Sequence, residues 1–311
     1  MKTIAVVGAT GAQGGGLVRA IATDRAGEFR ARALTRDPAS VAAREFAALP
    51  NVDVVAADLD DPESVDAAFD GADGAFCVTF FWADMSPATE FRHATTMANA
   101  AKATGIHHVV WSTFEDTRDW VTDDRMPTLQ GRYKVPHFDG KAEADAAFRD
   151  AGVPTTYLRA CAYWENLIDF GLGPQRGEDG VLAITYPLGE SRLPGIASED
   201  IGKIALGLFK AGDAYAGKTV SVAGEHLTGS EMATKLSRAL GEDVRYNDVD
   251  PDVYRSFGFQ AADEIGNMFQ FKRDFEADFV GARDLDLARS LDPELADFDS
   301  WLAQNASRIP V

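Results

Sequence analysis

Two short strings carry most of the chemistry this chain announces. The first, Gly8-Ala9-Thr10-Gly11-Ala12-Gln13-Gly14, follows the apolar, β-branched run Ile4 to Val7. Glycines three apart tighten the turn, bring bare backbone N–H groups against a pyrophosphate, and let the next helix lie close on the strand. The second string, Leu34-Thr35-Arg36-Asp37-Pro38, ends the second apolar run. An acidic residue there would bond ribose hydroxyls and repel a 2′-phosphate. Arg36 instead offers a planar cationic fork that clamps a 2′-phosphate and stacks on adenine, and Thr35 adds a hydroxyl. Together the strings predict a site for NADP(H) rather than NAD(H), with Asp37 the one residue that tempers the preference.

The elements that must hold these strings alternate. Strands are expected at Ile4 to Val7, Phe29 to Leu34, Val52 to Ala56, Gly74 to Thr79 and His108 to Ser112. Helices are expected directly after the glycine turn, with Leu17, Val18 and Ile21 on one face, at Val41 to Leu49, after Asp61-Pro62-Glu63, and from Pro87 to Thr104. Such βαβα order predicts an α/β fold, a Rossmann-type doubly wound parallel sheet whose ligands collect at the carboxyl ends of the strands. Asp58-Leu59 ends the third strand, where a carboxylate can accept from the adenine amino group. Thr79-Phe80-Phe81-Trp82 ends the fourth, a hydroxyl and three aromatics beside the expected path of the ribose and nicotinamide.

The rhythm breaks at Thr113 to Pro136, a polar stretch longer than compact domains usually leave unstructured, and it reads as an active-site flap that orders on the cofactor. A helix from Pro136 to Ala151 and a strand from Thr155 to Arg159 follow. From Ala160 the pattern turns irregular and glycine-rich, Asp200 caps a helix, Thr219 to Val222 reads as a strand, and Thr228-Gly229-Ser230-Glu231 starts another helix. The remainder is helix-rich, with Leu295, Phe298, Trp301 and Leu302 on one face. The expected division is a cofactor domain at 1–159, rejoined by 200–222, and a smaller C-terminal α/β lobe at 160–199 and 223–311 covering the nicotinamide.

Composition narrows the partners. With 49 acidic against 30 basic residues, the net charge of −19 disfavours direct nucleic-acid and anionic-membrane binding, which need clustered Lys and Arg. Cys77 and Cys161 each sit in an apolar stretch, where inert buried thiols are expected rather than a disulfide or a metal pair. The first apolar run is too short for a signal peptide and no stretch approaches the ~18 apolar residues of a membrane helix, so a cytoplasmic location is expected. An oligomer remains open.

The chain resembles the NmrA-like family of atypical short-chain dehydrogenases, which includes NADPH sensors. The resemblance rests on the glycine turn and Thr35-Arg36-Asp37-Pro38, on Val78-Thr79-Phe80-Phe81-Trp82, on Trp111-Ser112-Thr113-Phe114-Glu115-Asp116, and on Pro136-His137-Phe138-Asp139-Gly140-Lys141. It continues in Tyr163-Trp164-Glu165-Asn166, Ser198-Glu199-Asp200-Ile201-Gly202 and Asn267-Met268-Phe269-Gln270-Phe271. It implies that Gly8 to Gly14, Thr35, Arg36, Asp58 and Leu59 hold the adenosine half. Thr79 with the neighbouring Phe80 and Phe81, Lys141, and the segment Ala162 to Asn166 with Tyr163, Trp164 and Asn166 would then flank the nicotinamide half. Arg92 falls where family members carry a basic cofactor contact.

Typical short-chain dehydrogenases place a Tyr four residues before the Lys, on one helix face, so that the cation lowers the phenol's pKa. The corresponding pair here is His137 and Lys141. Three readings follow: His137 donates the proton, Tyr133 substitutes from the flap, or Lys141 merely bonds the nicotinamide ribose and the protein binds NADPH without turnover, coupled to a regulatory protein partner. The enzymatic alternative is an NADPH-dependent reductase of a small quinone, carbonyl or imine, with Phe80, Phe81, Trp82, Trp164, Phe269 and Phe271 walling a pocket for a flat apolar substrate.

Overall fold

A computed structural model of the chain describes residues 1–311. Strands and helices alternate as β1 (Lys2–Val6), α1 (Ala12–Thr23), β2 (Phe29–Thr35), α2 (Val41–Ala47), β3 (Val52–Ala56), α3 (Pro62–Phe69), β4 (Gly74–Cys77), α4 (Pro87–Ala103), β5 (His108–Thr113), α5 (Pro136–Ala151) and β6 (Thr155–Arg159). Then come β7 (Ala162–Tyr163), α6 (Asn166–Asp169), β8 (Gln175–Arg176), β9 (Leu182–Tyr186), β10 (Leu193–Ile196), α7 (Ser198–Lys210), β11 (Thr219–Ser221), β12 (Glu225–Leu227), α8 (Gly229–Leu240) and β13 (Val244–Asp248). Five helices close the chain, α9 (Pro251–Arg255), α10 (Ala262–Asp274), α11 (Glu276–Gly281), α12 (Leu285–Leu291) and α13 (Phe298–Asn305).

Seven strands form one sheet in the order β3-β2-β1-β4-β5-β6-β11. The pairings among β1 to β6 are all parallel. A parallel sheet is covered on both faces, and β5 is accordingly buried along its whole length. Strand order reverses between β1 and β4, which is the switch point where open α/β sheets receive ligands. Helix α1 packs on α7 through a glycine contact: a Cβ on Gly16 would lie 2.5 Å from Glu199 O, and one on Gly202 would lie 2.1 Å from Leu17 N. That close approach explains Gly202 in the Ser198 to Gly202 string.

The chain divides into two compact units, residues 1–116, 137–160 and 198–220 in the first and 117–136, 161–197 and 221–311 in the second. The second unit holds two three-stranded sheets, β12-β10-β7 and β13-β9-β8. The smaller C-terminal lobe is thus α/β as expected, although its individual strands between Ala160 and Ile196 do not stand out in the irregular, glycine-rich sequence. Its strands run two to five residues and include Pro194 and Gly195, too short and too broken for alternation to register. Helix α7 begins at Ser198, two residues before the expected cap, and Asp200 instead pairs with Lys203 at 2.6 Å inside the first turn. No helix is long and apolar enough to cross a membrane.

Candidate cofactor site

At the carboxyl end of β1, Gly8 has φ +65°, and a Cβ there would lie 2.9 Å from Cγ1 of Val78 at the end of β4. A Cβ on Gly14 would come within 2.4 Å of Gly8 O, so the first turn of α1 rests on the turn that precedes it. Gly8, Thr10, Gly11 and Ala12 are exposed, whereas Gln13 and Gly14 are buried. Gly11 caps α1 with no side-chain hydrogen bond. Helices α2, α4 and α8 are capped by Ser40, Ser86 and Thr228 respectively. An uncapped N-terminus presents N–H groups and positive dipole potential to an anion, so the residues here fit a pyrophosphate.

The end of β2 is equally open. Arg36 is exposed and enters no ion pair, and Thr35 Oγ1 accepts from Asp37 N at 3.3 Å. At the end of β3, Asp58 Oδ1 accepts from Asp60 N at 3.0 Å and Leu59 is half-buried against the core. Arg92 stands on α4, and its guanidinium pairs with Asp60, to which His93 Nε2 also comes within 3.0 Å. The Arg92 guanidinium and the His93 ring together hold the Asp60 carboxyl below the usual carboxylate range. Arg92 thus braces the turn containing Asp58 and Leu59.

The end of β4 is closed. Lys141 Nζ donates to Thr79 O at 3.0 Å, to Glu90 Oε2 at 2.7 Å and to Thr79 Oγ1. Thr79 Oγ1 in turn donates to Glu90 Oε2, closing a ring of three residues. Side-chain exposure is 8% for Lys141 and 2% for Glu90, so the pair is buried. An ammonium has three N–H bonds, and here all three are committed. Glu90 was missed by the sequence reading; the signal for it is a carboxylate in the first turn of a helix beginning just past Thr79, where the dipole favours a negative charge.

His137, one helical turn before Lys141, is 6% exposed and lies among rings, with centroids at 4.7 Å (Phe138), 4.9 Å (Trp82), 5.9 Å (Phe81) and 6.0 Å (Phe114). Phe114 stacks on Phe138 at 4.1 Å. Lys141 Nζ lies 5.7 Å from the Trp111 ring, whose Nε1 donates to Asp145 at 2.8 Å. Burial raises the Asp145 carboxyl to about 6. Burial also pushes the Cys77 thiol up, which keeps it in its unreactive form.

The model of the NmrA-like family matches residues 1–302. The chain belongs to the NmrA-like family. An NmrA-like family domain-containing oxidoreductase of a Cladobotryum species is 27% identical over 288 residues, covering 86% of this chain and 83% of that one. The nitrogen metabolite repression protein nmr of Neurospora crassa is 28% identical over 338 residues, covering 93% of this chain and 64% of its own. Among solved structures, the negative transcriptional regulator NmrA superimposes with a TM-score of 0.79, in complex with NAD at 25% identity and with NADP at 26%. Each alignment covers 97% of this chain and 94% of that one.

In the second unit of this NmrA-like chain, the stretch expected as a flap is fastened rather than loose. Asn267 Nδ2 donates to Pro127 O at 2.9 Å and Lys134 O at 2.7 Å, and Gln270 Nε2 donates to Arg125 O at 2.9 Å. Arg255 Nη1 donates to both amide oxygens, at 3.1 and 2.8 Å, which fixes the orientation of both amides. Trp120 packs on Phe271 at 5.8 Å, and Lys134 is buried on Met126 O and Thr128 Oγ1. These bonds to α10 are why 117–136 group with the second unit instead of the cofactor domain where they were expected. They also give the Asn267 to Phe271 string its role. Arg255, which the sequence reading missed, has no motif of its own.

Tyr133 is 6% exposed, its hydroxyl accepts from Arg132 at 2.7 Å, and its ring lies near the Arg118 and Arg132 guanidiniums. Tyr163 ends β7, Asn166 opens α6, and Trp164 packs against Phe298 and Trp301 at 5.3 and 6.1 Å. The expected aromatic wall needs correction. Trp164, Phe269 and Phe271 are at most 2% exposed, core rings held by Tyr186, Tyr254 and their own neighbours, while Phe80 is 64% exposed and Phe81 and Trp82 turn onto His137.

Proposed function

We propose that this protein binds NADP(H) at the carboxyl edge of its seven-stranded sheet and acts as a redox-responsive binding protein rather than through a built-in acid–base pair. The observation that carries this reading is the ring of Lys141, Thr79 and Glu90 beside a histidine enclosed by aromatic rings. The adenosine half would lie on Gly8 to Gly14, Asp58 and Leu59, with Thr35 and Arg36 taking the 2′-phosphate. Bound there, the nicotinamide would be the group able to supply hydride chemistry. The chain's own contribution at that end is orientation: Lys141, compensated by Glu90, has no spare charge for activating a phenol, and no phenol precedes it by one turn.

A second reading, a reductase of a flat apolar acceptor, is favoured by the oxidoreductase names of relatives such as the Cladobotryum protein and by the exposed Phe80 ring beside Thr79. One experiment separates the two. NADPH oxidation is followed at 340 nm against quinones, aldehydes and imines, with protein shown by calorimetry to bind NADPH. The binding reading expects no turnover above background and affinities for NADPH and NADP⁺ that differ at least ~5-fold, since a sensor must discriminate the two forms. Turnover with any acceptor, or equal affinities for the two forms, overturns it.

A further inference from the structure

We propose that Glu90 is the positioning residue for Lys141, the group that holds its ammonium in place for the nicotinamide-side ribose; this rests on the reading above that Lys141 faces that ribose. Three facts combine. The ammonium is buried, and a buried charge must be compensated and hydrogen-bonded. Glu90 is its carboxylate partner, at 2.7 Å, and stands in the first turn of α4, where a negative charge is favoured. Thr79 supplies the other two contacts, through its carbonyl and its hydroxyl.

An incoming hydroxyl must displace one of those contacts, because every N–H is used. The charge-assisted bond to Glu90 is the strongest of the three and is retained. The hydroxyl of Thr79 keeps its own donation to Glu90 whether or not it also accepts from Lys141. Glu90 therefore fixes the ammonium while the neutral contacts exchange. It touches no ligand itself in this arrangement, and its effect runs through Lys141.

The test measures calorimetric affinities of the full chain for NADPH and for 2′,5′-ADP, a probe that carries the adenosine half alone. Glu90→Gln should weaken NADPH at least ~10-fold and leave 2′,5′-ADP within ~2-fold, and Lys141→Met should do the same. In the double variant the losses should not add, because Glu90 acts only through Lys141. Should Glu90→Gln not fold, Glu90→Asp keeps the charge one methylene short and should weaken NADPH alone, by ~3-fold or more. If Lys141→Met is selective for NADPH and the Glu90 variants are not, or if they weaken both ligands equally, Glu90 is not a positioning residue. If Lys141→Met spares NADPH as well, the placement of Lys141 at the ribose is what fails.

Discussion

The carboxyl ends of β1 and β2 differ sharply from that of β4. At the first two, the groups offered to a ligand face solvent: Gly8, Thr10, Gly11 and Ala12 are exposed, α1 carries no side-chain cap, and Arg36 enters no ion pair. At the third, Lys141, Thr79 and Glu90 satisfy one another out of solvent. Open polar groups can gain from a ligand what the fold does not give them, whereas closed ones support the fold first and a ligand second. The adenosine half is thus expected to supply most of the binding energy, and the nicotinamide end to be stiff.

The largest effect expected from this contrast is on stability. Lys141→Ala leaves Glu90 buried without its cation, and breaking a buried pair from one side typically costs about 3–5 kcal/mol. Arg36→Ala, at an exposed site with no partner, should stay within about 0.5 kcal/mol. Urea unfolding of both variants checks the pair of values. Equal losses would erase the distinction between the open and the closed end.

Asp145 tests how far the closed region extends. Its folded pKa of about 6 lies above the ordinary 3.8, so protonation favours the native state. That contribution is complete below about pH 3.8 and disappears as pH rises through about 6. Asp145→Asn should therefore match the parent near pH 3.5 and exceed it at pH 7, by at most about 3 kcal/mol from a shift of roughly two units. Chemical denaturation at the two pH values checks the sign. A variant less stable at pH 7 would mean that the charged carboxylate is needed by Trp111 and Arg149, whose guanidinium lies 3.8 Å away.

On the open side, Gly11 sits at φ −92° and ψ −179°, backbone that any residue adopts, and an added Cβ meets only Gly8 O, at 3.2 Å. Gly11→Ala should fold with little loss yet place a methyl where the proposed pyrophosphate would approach. We expect NADPH binding to fall by at least ~30-fold, about 2 kcal/mol, with the melting midpoint nearly unchanged. Undiminished binding by the folded variant would move the phosphates elsewhere.

The same contrast explains what the sequence made legible. The open end is written locally: glycine spacing, a β-branched run and one arginine within a few residues of each other. The seven-stranded sheet is legible for a similar reason, since its strands and helices have ordinary lengths and simple alternation. The closed end is assembled from residues far apart in the chain, with Glu90 and Lys141 separated by 51 positions. No short-range pattern marks such a pair. The latch of Arg255, Asn267 and Gln270 is hidden likewise, reaching over 140 positions to Pro127, and the second unit's sheets are hidden by strands as short as two residues.

The smallest effect concerns cofactor choice, and it is the most specific. NmrA has been solved with NAD and with NADP, so the fold it shares with this chain admits both, and any discrimination here is expected from side chains near the 2′ position. Arg36 is exposed at the end of β2 and bound to nothing, whereas Asp37 is occupied in capping its own turn, its Oδ1 accepting from Ala39 N at 2.9 Å. A free guanidinium beside an occupied carboxylate favours the phosphorylated ribose. NADPH should then bind at least ~10-fold tighter than NADH, about 1.4 kcal/mol, and Arg36→Ala should remove the difference by weakening NADPH alone. Raising salt should narrow the gap in the parent, because an exposed ion pair is screened, and leave the variant unaffected. If the two cofactors bind equally in the parent, the open end recognises only what they share, and the contrast between the ends reduces to the glycine turn.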